Sequence, residues 1–116
     1  MTDDCAPIPD GAPPGIPTRA FIHELAGPLQ DLAHELGFAD LRLVGSVARG
    51  TARATSDVDF LVQVGSTLRG AAYFGAMETF RVHAEHLVGR SVDVIDLDSV
   101  TDGEVRTYLL DEARPL

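Results

Sequence analysis

Ser46 follows a glycine, ten residues intervene, and Asp57-Val58-Asp59 comes next. Side chains two apart on a strand point the same way. Asp57 and Asp59 therefore project together while Val58 turns to the core. Paired carboxylates repel each other, and a divalent cation between them relieves the repulsion. The glycine-opened turn at Gly45-Ser46 leaves backbone N–H groups free to meet an anion. A cation site beside an anion cradle is suited to metal-assisted phosphoryl or nucleotidyl transfer.

Asp93 offers a third carboxylate. It lies inside Val92-Asp93-Val94-Ile95, where a lone aspartate is costly unless something compensates it. If its strand pairs beside the one that starts near Asp57, Asp93 joins Asp57 and Asp59 on one face. Three carboxylates there can hold two Mg²⁺ ions about 4 Å apart. The alternative is an aspartate at a strand end, or one paired with an arginine such as Arg90. Asp96 and Asp98 compete for the third position, but Asp96 falls on the opposite strand face and Asp98 reads as a cap for the next segment.

Gly45 to Thr51 superficially resembles a P-loop. The lysine that such a loop needs would be residue 51, which is threonine, and the chain contains no lysine, so that chemistry is excluded. Instead, Gly45 lets the backbone approach a phosphate, and the Ser46 hydroxyl with nearby N–H groups binds it. Arg49 and Arg53 flank the turn. Each is a candidate phosphate contact, or else a surface arginine or a partner for a site carboxylate. His83 and His86, three apart on a helix, read as helix surface or partner contact. Tyr73, Phe74, Met77 and Phe80 recur at helical spacing and read as core or interface.

These residues need elements to hold them. Thr18 can cap a helix after Pro17. Phe21, Ile22, Leu25, Leu29, Leu32, Ala33 and Leu36 continue the helical period to Gly37, and Gly27-Pro28 in the middle predicts a kink or two short helices. Leu41, Leu43 and Val44 form a first strand, ended by Gly45. Ser46 to Gly50 is a turn or a single helical turn. A second strand runs from about Asp57 to Val64, with Val58, Phe60, Val62 and Val64 on one face. Next come a helix from about Leu68 to Val88, a strand from Ser91 to Leu97, and a helix from about Asp102 to Ala113. This order is a small α/β domain with a sheet of three or four strands.

Composition narrows the function classes. The chain has 116 residues and a net charge of −9. Bulk acidity draws cations or a basic partner rather than nucleic acid, and it also keeps a surface soluble. Residues 1–18 hold five of the seven prolines, two glycines and three aspartates, and read as a flexible tail ahead of a domain at 19–116. Cys5 is the one cysteine, so no disulfide forms within the chain, which fits a reducing, cytoplasmic setting. No apolar run suits a membrane span.

Gly45-Ser46-Val47-Ala48-Arg49-Gly50, the spacing to Asp57-x-Asp59, Val92-Asp93-Val94 and the ending Leu110 to Leu116 together resemble the minimal nucleotidyltransferases of the polymerase-β superfamily. More narrowly, they resemble the antitoxin members of toxin–antitoxin pairs whose toxin is a HEPN-domain protein. The resemblance covers about residues 19–116. It implies a mixed sheet with helices packed mainly on one face. It also implies Mg²⁺ held by Asp57, Asp59 and Asp93, and ATP bound at Gly45, Ser46 and Arg49 beside Asp57 and Asp59. The implied reaction moves AMP to a hydroxyl, a tyrosine of the HEPN partner, with Asp93 as metal ligand and candidate base; it leaves room for a hetero-oligomer with that partner. Two other readings share the motifs: an antitoxin that neutralises by binding alone, and a small-molecule nucleotidyltransferase, which so small a domain leaves little room for.

Overall fold

The computed structural model describes residues 15–116. Most of the segment read as a tail lies outside the described residues. Thr18 caps helix α1 (Arg19–Glu24), its hydroxyl accepting the Phe21 N–H at 3.1 Å. The break expected near Gly27-Pro28 falls at Leu25, and α2 (Ala26–Glu35) starts directly after it. Pro28 thereby occupies the first turn of α2, where its missing N–H has no partner to lose.

β1 (Phe38–Val44) leads into the short helix α3 (Gly45–Arg49), which ends at Gly50 with φ of 78°. The chain continues through β2 (Val58–Val64), α4 (Gly70–Val88), β3 (Val92–Asp96), a 3₁₀ turn (Leu97–Ser99) and α5 (Gly103–Glu112). The sheet order is β1-β2-β3, with β2 central, antiparallel to β1 and parallel to β3. The βαβ crossover through α4 gives the parallel pair its long connection.

The two sheet faces carry different loads. Leu41, Leu43, Val58, Phe60, Val62 and Val92 pack with Phe21, Ile22 and Leu29 of α1 and α2 and with Phe80, Ala84 and Val88 of α4 to form the main core. The Phe80 ring stands edge-on to Phe60, with centroids 5.7 Å apart, a favourable arrangement of their quadrupoles. The opposite face has a smaller core of Val44, Leu61, Leu97, Leu109 and Ala113. Helix α5 and its C-terminal cap supply the last two residues, so among the described residues that face is covered at one end only. The expected small mixed sheet, with most helices on one side, is the fold observed.

Boundaries differ in three places. β1 begins at Phe38, earlier than the Leu41-Leu43-Val44 run suggests, because a register irregularity between Phe38 and Asp40 interrupts the alternation. β2 begins at Val58, leaving Asp57 just ahead of the strand. β3 stops at Asp96 because that side chain accepts the Asp98 N–H at 3.0 Å and turns the chain into the 3₁₀ segment. Asp98 is therefore not a cap: Asp96 caps the 3₁₀ turn and Asp102 caps α5.

Candidate active site

The sheet register brings the carboxylates together. Asp59 and Asp93 are directly paired residues on β2 and β3, and Val44 is the partner of Asp59 on β1. Paired residues share a sheet face, so Asp59 and Asp93 lie on the side away from the main core. Asp57, two residues before Asp59 and exposed, lies beyond the strand end. The half-buried Asp59 feels all of them. Burial first, then the charges of Asp93, Asp57 and Glu112, push its carboxyl up to about 6, with Arg49 pulling the other way. Asp96 points to the other face, is buried, and accepts from the Tyr73 hydroxyl at 2.7 Å and the Ser99 hydroxyl at 3.0 Å. It is committed to structure.

Arg90 does not neutralise Asp93. Its guanidinium donates instead to the carbonyls of Gly15, Ala54 and Ser56. These bonds tie down the loop that delivers Asp57. Among the described residues, no arginine forms an ion pair with Asp57, Asp59 or Asp93.

Gly45 sits where β1 passes into α3, with φ of 78°. A Cβ built on it would lie 2.2 Å from Oδ2 of Asp59. The sequence alone gives this glycine one purpose, the close approach of a phosphate. The structure adds a second, room for the carboxylate of Asp59. Its N–H donates to Oε2 of Glu112 at 2.7 Å, so the free donors of the turn start at Ser46. Arg49 pairs with Oε1 of Glu112 and donates to the Tyr108 hydroxyl at 3.3 Å. Burial raises the Glu112 pKa, but the Gly45 N–H, Arg49 and Tyr108 outweigh burial and hold the carboxyl below its usual value. A cavity of about 250 Å³ lined by Arg49, Tyr108 and Glu112 opens at this corner.

Glu112 and Tyr108 are residues that sequence reasoning misses. One signal does exist: a glutamate in the last turn of a helix opposes the helix dipole and calls for a positive partner. Nothing local names that partner. Among the described residues, Arg53 has only its backbone engaged, its N–H donating to the Ser56 hydroxyl. His83 and His86 line a groove between α2 and α4 with Asp31 and Glu35, away from these carboxylates.

Among the described residues, no three His, Cys, Asp or Glu side chains already converge as ligands round one ion. The donor set nevertheless suits a hard divalent cation: carboxylate oxygens at the ends of adjoining strands, unpaired with arginine among the described residues, with the charges of Asp93 and Asp57 raising the proton affinity of Asp59. Asp57, Asp59 and Asp93 are the residues that would hold it.

A nucleotidyltransferase-domain family profile matches residues 29–114. A solved structure described as a minimal nucleotidyltransferase superposes with a TM-score of 0.73 at 28% identity, covering 85% of this chain and 96% of that one. No match is found among curated proteins. The chain belongs to the nucleotidyltransferase domain family. None of its helices, among the described residues, is long and apolar enough to cross a membrane.

Proposed function

We propose that the chain is a Mg²⁺-dependent adenylyltransferase that moves AMP from ATP to a tyrosine hydroxyl of a HEPN-type toxin, and so acts as its antitoxin. The observation that carries the nucleotidyl-transfer core of this reading is the pairing of Asp59 with Asp93 beside the Gly45 turn. Asp57, Asp59 and Asp93 would hold Mg²⁺, which would supply charge neutralisation on the triphosphate and activation of the attacking oxygen. The Ser46 hydroxyl and the N–H groups after it bind phosphate oxygens, and Arg49 offers its outer guanidinium N–H groups. The tyrosine oxygen attacks the α-phosphorus, a new O–P bond forms, the bond to the β-phosphate breaks, and pyrophosphate leaves. Asp93, the most exposed of the strand carboxylates, receives the phenol proton.

The acceptor is a protein because, among the described residues, the carboxylate face is open. Helix α5 covers only one end of it, and a reacting phosphate needs a second surface to exclude water. The net charge of −9 favours a basic partner, as a ribonuclease-like toxin would be. The test mixes the chain with ATP, Mg²⁺ and a HEPN-domain protein, and reads intact mass. Addition of one or more AMP units to the partner, lost in Asp59→Ala, supports the reading. A stable, neutralised complex with no mass change favours an antitoxin that works by binding alone.

A further inference from the structure

Glu112 does something that the carboxylate triad does not account for. Its side chain is only 7% exposed. One oxygen accepts the Gly45 N–H at 2.7 Å and the other pairs with Arg49, which also donates to the Tyr108 hydroxyl. Gly45 and Glu112 are 67 residues apart in sequence, so this one carboxylate fastens the end of α5 to the turn between β1 and α3. It also lies close enough to Asp59 for its charge to be felt there. A bare negative charge at that point opposes the approach of a triphosphate. It is tolerable because Arg49 neutralises it and the Gly45 N–H donates a hydrogen bond to it.

We propose that Glu112 is a positioning residue for the nucleotide, an inference that rests on the function proposed above. It holds the Gly45 turn at the height that gives Asp59 its space. It also fixes Nη1 of Arg49, which donates to Glu112 and to the Tyr108 hydroxyl, and so leaves the Nε and Nη2 N–H groups to meet phosphate groups bound at Ser46. An arginine held at one nitrogen loses less side-chain freedom when it binds a phosphate through the others. Displacement of Glu112 by the nucleotide is the disfavoured alternative, since it would leave a buried carboxylate beside both Asp59 and the triphosphate.

The experiment measures Mg²⁺-ATP affinity by calorimetry for the wild type, Glu112→Gln, Arg49→Ala and the double variant. Glutamine preserves the shape and can still accept the Gly45 N–H, but it cannot neutralise Arg49. The expected result is a loss of about tenfold in Glu112→Gln, with no further loss when it is added to Arg49→Ala. Glu112→Asp, which keeps the charge on a shorter arm, should lose less, and it stands in should the glutamine variant fail to fold. Lower thermal stability with unchanged affinity would make Glu112 a purely structural clamp and overturn the proposal. Tighter binding in Glu112→Gln would overturn it too, by showing that the carboxylate competes with phosphate. A folded wild type that binds no nucleotide would overturn the underlying function, and this inference with it.

Discussion

A Cβ on residue 45 would fall 2.2 Å from Oδ2 of Asp59, far closer than a Cβ comes to any non-bonded heavy atom. The turn and the carboxylate strand are thus fitted to each other before any ligand arrives. Gly45→Ala must bear the left-handed backbone, about 1–2 kcal/mol for a residue with a side chain, and must also move Asp59. Gly50→Ala shares the φ of 78° but meets nothing within 4 Å, so it bears the backbone cost alone. Denaturation should find Gly45→Ala the less stable of the two. Nucleotide affinity should fall in Gly45→Ala and hold within about twofold in Gly50→Ala.

Asp59 should give the metal-free protein a distinctive pH response. Its carboxyl rises from 3.8 to about 6 on folding, so the folded state favours the protonated form. The associated stability is fully present below about pH 4 and is lost as pH climbs through about 6. With chelator present, Asp59→Asn should remove that fall and stabilise the protein at about pH 7.5 by about 1 kcal/mol, a figure discounted for the half-exposed position. Urea melts of both proteins from about pH 4.5 to about pH 7.5 provide the check. Parallel profiles would show that Asp59 is not strained by its neighbours.

Asp96 and Asp93 share one strand, β3, and should behave as opposites. Asp96→Ala strips the Tyr73 and Ser99 hydroxyls of their acceptor, at a cost of about 2–3 kcal/mol. It should leave metal-dependent nucleotide binding within about twofold at temperatures where the variant is folded. Asp93→Ala should do the reverse. Equal loss of binding in both would mean that the two sheet faces are not independent.

Much of this is legible in the sequence because it is local. Thr18, Gly50, Gly89 and Asp102 mark helix ends by their own backbone and side-chain chemistry. The alternation in Val58-Asp59-Phe60 assigns its faces without reference to the rest of the chain. The pairing of Asp59 with Asp93 can be read only as a condition, because strand order is a long-range property. Long-range packing decides the features that stay hidden. The end of α5 reaches the Gly45 turn across 67 residues of sequence, so Glu112 has no visible partner. The start of β1 is masked because the irregularity at Phe38–Asp40 breaks the two-residue period. Asp98 has the residue type of a cap, but Asp96, two residues earlier, takes that role by accepting the Asp98 N–H.

The claim on which the rest depends is that Asp57, Asp59 and Asp93 form one cation site serving a nucleotide at Gly45-Ser46. The most direct measurement is calorimetric titration of ATP with and without Mg²⁺, on the wild type and on Asp57→Ala, Asp59→Ala and Asp93→Ala. Binding should require Mg²⁺ in the wild type, and each substitution should weaken it by at least about tenfold. Mg²⁺-dependent binding that persists at full strength in a folded Asp59→Ala or Asp93→Ala variant would contradict the account.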